Sequence, residues 1–402
     1  MKSLLISNFG PINNTKKMVL EIAPVTVIIG GQGTGKSTIA KLISEFSWLE
    51  KALERGDFQR KEIEQYNRFR KNYCAYHGIQ NYFRDNTYLR FEGDLYVFEY
   101  NNNHLTIQVK RNSVPYSRPQ IMYTPAERNL VSAIENADKI KRLPGSLSTL
   151  LDEYNRALRS SKDVIQLPLD GFSLNYDKLN KVVWLNGKGF KVRTHEAASG
   201  LQSVIPLSVV SNYLMRLVNA NQPETIIVDS SEERLRLEKT IRTILQDKSL
   251  DDDIRLALLK ELNGNVKNRR FINIVEEPEQ NLFPISQRNV LYELLRIKNE
   301  MPENELIFTT HSPYLINYLS LTIKAAEIQA RNKGKKIKEL DKLIPENVRL
   351  QGKDVVIYET MSDGSISRVK TYDGMPSDDN ALNSYLNECN TVFGQLLDIE
   401  EE

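Results

Sequence analysis

Residues 25–38 read Val25-Thr26-Val27-Ile28-Ile29-Gly30-Gly31-Gln32-Gly33-Thr34-Gly35-Lys36-Ser37-Thr38. The β-branched run Val25 to Ile29 suits a buried central strand feeding a turn. From Ser37 to about Glu54, Ile39, Ala40, Leu42, Ile43, Phe46 and Leu49 recur at helical spacing. Between strand and helix, Gly30, Gly35, Lys36 and Ser37 match GxxxxGK[ST] at every fixed position. Such glycines let the backbone curl so that successive N–H groups point at phosphate oxygens, and the helix N-terminus adds partial positive charge. The stretch Gly30, Gly31, Gln32, Gly33, Thr34, Gly35, Lys36, Ser37, Thr38 is therefore the expected nucleotide cradle. In it Lys36 would reach the β- and γ-phosphates and Ser37 would hold Mg²⁺. The competing reading is a glycine-rich turn that only caps a helix.

A phosphate loop needs a second strand that presents a metal carboxylate and a base for water. Phe271-Ile272-Asn273-Ile274-Val275-Glu276-Glu277-Pro278-Glu279 has that form: an apolar strand ending in acids, which places them at the carboxyl edge of a sheet. Glu276 would sit near Mg²⁺, through water, and Glu277 would polarise the attacking water. An acidic helix N-terminus favoured by the helix dipole explains one acid more easily than three. A third strand, Leu306-Ile307-Phe308-Thr309, runs into Thr310-His311-Ser312-Pro313. One helix and one strand fill the interval from Glu276, so His311 is expected on a neighbouring strand tip, able to bond a γ-phosphate or orient water.

Composition agrees with an ordinary globular chain. There are 402 residues, 54 Lys+Arg against 52 Asp+Glu for a net charge of +2, and 40% hydrophobic residues, which excludes a disordered chain. The near-zero charge argues against a whole-surface nucleic-acid footprint. Only two cysteines, Cys74 and Cys389, are present, far apart and without metal-ligand spacing, so a disulfide framework is excluded and a reducing compartment is expected. The apolar run Leu4 to Ile6 is too short for a signal peptide, and no stretch reaches the roughly 20 apolar residues of a spanning helix. A cytoplasmic protein without a membrane partner is the expectation.

Along the chain, Lys2 to Ser7 reads as a strand and Pro11 to Lys17 as a polar turn. Residues 55–90, rich in charge and tyrosine, read as helical, and Leu95 to Val109 as a hairpin turning at Asn101, Asn102 and Asn103. Gln120 to Tyr123 is a strand, followed by a helical region to about Ser160; Phe190 to His195 is strand-like and Leu201 to Val218 helical. Asn219 to Arg270 is a charged insert whose segments Ser231 to Asp247 and Asp252 to Leu262 suggest a solvated helical surface, and Asp251-Asp252-Asp253 within it a cap or loop. The Ile285 to Asn299 segment is helical, and the tail holds a basic stretch from Arg331 to Lys338, strands around Val355 to Tyr358 and Ile366 to Tyr372, and a last helix. Strands alternating with helices argue an α/β core.

Taken together, these pieces resemble the ABC-type ATPase head shared by RecF, the SMC proteins, OLD-family proteins and AAA-family ATPases of bacterial anti-phage operons. Asn8-Phe9-Gly10 resembles their N-terminal "NF" strand, Glu276 to Pro284 their extended Walker B and D-loop, and Phe308 to Pro313 their switch histidine. Ala198-Ser199-Gly200-Leu201-Gln202-Ser203 resembles the ABC signature, and Tyr123 to Asn129 a motif of defence ATPases such as those of the PARIS and Septu systems. The resemblance implies a P-loop NTPase with an ABC-type head and inserted helical subdomains. Its core would be residues 1–54 and 271–402, with an inserted helix and hairpin region over 55–119. Residues 120–270 would supply a core strand, the signature-bearing subdomain and the charged insert.

In that family the signature caps the nucleotide of a second subunit. Ser199 and Gly200 would thus face the γ-phosphate bound by Lys36 of another copy, in a head-to-tail homodimer or a larger ring holding two ATP per dimer. The residues alone also allow an ordinary helix cap. Glu127 and Arg128 follow a strand where a transporter-type head carries its Q-loop; they would relay the nucleotide state or form a structural ion pair. Two departures stand out: the Walker B acid is Glu276 rather than Asp, and the signature lies far upstream of it. The chain has neither a long heptad segment nor a zinc-hook motif, and no Toprim signature follows His311. The resemblance therefore implies a slow ATPase that controls a separate effector, a Toprim or HNH nuclease encoded nearby, with a phage protein or DNA as trigger. The alternatives are a RecF-like DNA-repair clamp and, weakest for want of a coupling-helix context, a transport-type ATPase with a membrane partner. The basic run Arg331, Lys333, Lys335, Lys336 and Lys338 could meet DNA phosphates, but without interleaved aromatics it reads as a solvated linker.

Overall fold

The computed structural model describes residues 2–13, 18–111, 116–135, 140, 142–161, 163–219, 242, 246, 268–332, 335–372 and 374–401. Its strands, in chain order, are β1 Lys2–Phe9, β2 Val19–Ile22, β3 Val25–Gly30, β4 Phe83–Glu92, β5 Tyr96–Asn101, β6 His104–Val109, β7 Pro119–Thr124, β8 Ile165–Gln166, β9 Ser173–Asp177, β10 Val182–Gly187, β11 Phe190–Arg193, β12 Arg270–Glu276, β13 Glu305–Thr310, β14 Val355–Thr360, β15 Ile366–Arg368, β16 Thr371–Tyr372 and β17 Met375–Pro376.

The central sheet has the order β15-β14-β3-β13-β12-β7. Its five strands from β14 to β7 are parallel, and β15 closes one edge antiparallel. Strands β3, β12, β13 and β14 are buried along their whole length, as expected of β-branched runs covered by helices on both faces. One face receives the Lys36–Arg55 helix, whose Ile39, Leu42, Ile43, Phe46, Leu49 and Leu53 form a buried stripe at the 3.6-residue period. That helix stops where Gly56 turns left-handed and its N–H bonds Ala52 O and Leu53 O. The other face carries the helices Pro284–Asn299 and Pro313–Arg331, whose Leu291, Leu294, Leu295, Leu315 and Leu319 pack on Val25, Val27 and Phe308.

A second, antiparallel sheet has the order β2-β1-β4-β5-β6. Strands β4 to β6 thus share a sheet with the first strands of the chain, and Ile63, Phe69 and Cys74 share their hydrophobic core. The helical expectation for residues 55–90 fails beyond Tyr76, because Phe83, Thr87, Leu89 and Phe91 alternate inward and β4 pairs with both β1 and β5. The hairpin at Asn101 is as expected, with Asn102 and Asn103 both left-handed. A third sheet, β11-β10-β9-β8, was expected only at its last strand, since short strands with half-exposed faces carry little hydrophobic alternation.

The helix Ser199–Asn219 corrects a second expectation. It is long and apolar enough to cross a membrane by length and composition, yet 72% of its apolar window is buried. Its Ile205, Val209, Val210 and Leu214 pack on Leu147, Leu150 and Leu158 of the Gly145–Ser160 helix, so it is a core helix. The basic stretch is not a linker throughout: Arg331 ends one helix, where it pairs with Glu327, and Lys335–Leu343 forms another. The segments Ser231 to Asp247 and Asp252 to Leu262, with the Asp251-Asp252-Asp253 run, lie outside the described residues save for positions 242 and 246.

Candidate functional site

Strand register brings the sequence motifs to one edge. Glu276 pairs with Thr309, Thr310 with Ile29, and Gly30 with Thr360. The carboxyl ends of β12, β13, β3 and β14 are therefore level, and the loops leaving them converge, as ligand sites of parallel sheets do. Because β13 lies between β3 and β12, His311 leaves the sheet between the phosphate loop and the acidic pair.

The phosphate loop runs from buried Gly30 through exposed Gly31, Gln32 and Gly33 to buried Thr34, Gly35 and Lys36. Gly35 has φ +109, and a Cβ there would lie 2.7 Å from Ile12 Cγ1, so only glycine fits. Thr34 Oγ1 donates to Gly31 O at 2.8 Å and shares a 2.7 Å bond with Thr360, which braces the loop against β14. Lys36 Nζ donates to Gly31 O at 2.6 Å, lying over the loop. Burial lowers the Lys36 pKa, and Glu277, Glu279 and Glu276 oppose that shift. Ser37 is half-buried and Thr38 buried in the first helical turn.

The acids differ from one another. Glu276 is buried; one carboxylate oxygen accepts the Tyr123 hydroxyl and the other accepts Ala126 N–H at 3.1 Å. Glu277 has a left-handed backbone, φ +44, a costly conformation outside glycine. That turn is held by Glu277 N–H to Thr309 O at 3.0 Å and by Arg128 Nη2 donating to Glu277 O at 2.6 Å. It aims the side chain at His311, whose Nε2 lies 3.1 Å from Glu277 Oε1 with both groups about 30% exposed. The His311 hydrogen bond, with lesser help from Lys36 and Arg128, holds the Glu277 carboxyl below its usual range. Glu279 is half-buried and accepts from Thr310 Oγ1 at 2.8 Å and His311 N at 2.7 Å, clamping the histidine turn; desolvation of its carboxyl raises its pKa.

Arg128 and Glu127, expected together, separate. Glu127 is exposed, whereas Arg128 is fully buried and forms no ion pair among the described residues. Its guanidinium donates to the carbonyls of Glu276 at 2.6 Å, Glu277 at 2.6 Å, Ser203 at 3.1 Å and Pro125 at 3.4 Å. It thus ties the acidic strand end to the first turn of the Ser199–Asn219 helix, and burial lowers its pKa to about 10. The same helix start meets the turn after Glu279: a Cβ on Gly200 would lie 2.5 Å from Asn281 O. Ser199 itself is exposed.

Sequence reasoning left Tyr123 and Glu279 without roles. Both stand inside motif stretches, but a hydrogen bond from one strand tip to the next has no spacing signature.

No protein-family model and no curated protein matches this chain. Among solved structures it is similar to the SMC head domain from Thermotoga maritima, at 11% identity and TM-score 0.39 over 92% of this chain and 98% of that one. It is also similar to an Smc head domain with an extended coiled coil, bound to the C-terminal domain of ScpA derived from Pyrococcus furiosus, at 11% identity and TM-score 0.38 over 98% and 100%. A dimeric ATP-binding cassette in a post-hydrolysis state with ADP and Pi follows at 10% and 0.32 over 92% and 100%.

Proposed function

We propose that this chain is an ABC-type ATPase head that binds Mg-ATP on its phosphate loop and hydrolyses it slowly. The observation that carries the reading is Glu277 bonded to His311 at 3.1 Å on the sheet edge that also carries Lys36, whose charge these acids sense. Glu277, kept ionised, accepts a proton from the attacking water, and His311 orients it or bonds the γ-phosphate. Ser37 and Glu276 would hold magnesium, which prefers hard oxygen donors, with Glu276 acting through water because its two oxygens already accept Tyr123 O–H and Ala126 N–H. Bound there, it would neutralise developing phosphate charge.

Two copies close head to tail so that Ser199 and Gly200 of one cap the nucleotide on the other. The exposed Ser199 at the start of a long helix supports this, because such a terminus attracts anions. Arg128 would then relay closure, since it holds both the capping helix and the backbone of Glu277. By its motif resemblance, the protein works in the cytoplasm in anti-phage defence. There it acts as a sensor or scaffold for a nuclease effector of Toprim or HNH type, triggered by a phage protein or DNA.

Light scattering of the Glu277→Gln protein with and without Mg-ATP tests the switch. The mass should rise with nucleotide, and Ser199→Arg in the same background should prevent the rise; an unchanged mass sinks the sandwich. For the defence role, protection against phage by the chain with its neighbouring genes should vanish with Lys36→Ala.

A further inference from the structure

A cavity of about 350 Å³ lies beside the middle of the Lys36–Arg55 helix, bounded also by β7, by the Gly145–Ser160 helix and by the short helical segment that ends at His77. None of Lys36, Glu277 or His311 lines it. Charged Lys51, Arg55 and Glu153 are part of its lining, and beside them its walls combine two further chemistries. Trp48 and Tyr76 bring aromatic rings that are 38% and 37% exposed, so ring surface is left bare. Glu45 and His77 bring hydrogen-bonding groups that are 3% and 5% exposed.

Those two groups lie 4.0 Å apart and do not form an ion pair. Burial raises the Glu45 carboxyl well above its ordinary value and drops His77 to about 3, so burial favours the neutral form of each. A neutral carboxyl donates and accepts, and so does a neutral imidazole. Among the described residues His77 Nδ1 has no hydrogen-bond partner although it is buried, which is costly unless something else supplies one. The cavity is also joined to the nucleotide site. The His77 ring meets the Tyr123 ring edge-on at 4.6 Å, and the Tyr123 hydroxyl donates to Glu276.

We propose that this cavity binds a nucleoside, whose base stacks on Trp48 and Tyr76 and is read along its edge by Glu45 and His77, and that its occupancy reaches Glu276 through Tyr123. Aromatic walls take a planar heterocycle of any sequence by stacking, and paired donors and acceptors match a base edge. Small-molecule sites span about 300–1,000 Å³, so 350 Å³ suits a nucleoside and is too small for a dinucleotide.

The probes are adenosine, guanosine, cytidine and uridine, titrated calorimetrically against Lys36→Ala protein so that the phosphate loop takes no part. At least one should bind. Trp48→Ala should weaken it about tenfold or more, and Thr149→Trp, which puts a large ring into the cavity wall, should abolish it. If Thr149→Trp fails to fold by circular dichroism, Trp48→Ala decides alone. No binding by any nucleoside, or binding indifferent to Trp48→Ala, overturns the site. The coupling rests on the ATPase reading: in otherwise wild-type protein the bound nucleoside should change Mg-ATP affinity severalfold, and Tyr123→Phe should remove the change while keeping nucleoside affinity. Equal Mg-ATP affinity with and without nucleoside overturns the coupling. ATP that fails to bind at all overturns the ATPase reading and the coupling together, whereas the titration on Lys36→Ala still decides the cavity.

Discussion

The phosphate-loop helix meets two polar clusters that solve burial in opposite ways. At its first residue, Lys36 faces Glu276, Glu277 and Glu279, and each of these carboxylates has protein donors. At its middle, Glu45 and His77 are buried more deeply than Glu277 and, among the described residues, have no opposite charge within hydrogen-bonding distance, so burial disfavours the charged form of both. In the first cluster the His311 side chain, hydroxyls and backbone N–H groups replace water around the carboxylates, and His311 holds the Glu277 carboxyl below its usual range; the second keeps only hydrogen-bonding capacity. Charge at one end suits phosphate and proton transfer, while uncharged donors and acceptors at the other suit the edge of a polar ring.

The sharpest way to break the first half of this contrast is to remove its two functions separately. Lys36→Ala removes charge-assisted bonds to phosphate, and ATP affinity should fall by roughly a hundredfold or more by calorimetry. Glu277→Gln should instead leave affinity nearly intact and cut turnover by roughly 10²–10⁴, the range for losing a general base. Equal loss of binding in both variants would show that Lys36 and Glu277 act only as structural partners.

Next in size is Arg128, which is bonded to carbonyls rather than carboxylates. Arg128→Leu strips donors from the backbone of Glu276, Glu277 and Ser203, and chemical denaturation should register a loss of about 3 kcal/mol or more. Arg128→Lys should recover little, because an ammonium lacks the planar fork that spans two adjacent carbonyls. A neutral Arg128→Leu result would mean that water satisfies those carbonyls and that no tie exists between the acidic strand end and the Ser199–Asn219 helix.

The same contrast explains what was legible in sequence. Gly30 to Ser37, Glu276, Glu277 and His311 stand at strand ends, so apolar runs located them and parallel pairing brought them level. Arg128 was marked, but its partners are carbonyls, which no side-chain pattern announces. Phe83 to Glu92 was misread because its outward side is charged and its inward alternation spans few residues. The cavity could not be read at all: Glu45, His77 and Gln120 come from three elements and meet only because β7 packs against the phosphate-loop helix.

The smallest effect separates the two halves by pH. The unfolded His77 binds a proton near its ordinary 6.5 while the folded imidazole resists until about 3, so the unfolded state holds more protons in between. Stability from this group is therefore complete above pH 6.5 and falls with acid, by about 2 kcal/mol between pH 7 and pH 5. His77→Gln should remove that slope in denaturation series. Glu45 has the opposite sign: its folded pKa is raised, so its contribution is complete below its ordinary 4.5 and falls as pH rises. Glu45→Gln should thus gain stability over wild type as pH goes from 5 to 8. If instead both variants lose stability together at pH 6, the pair is ionised after all, and the neutral half of the molecule is a second charged one.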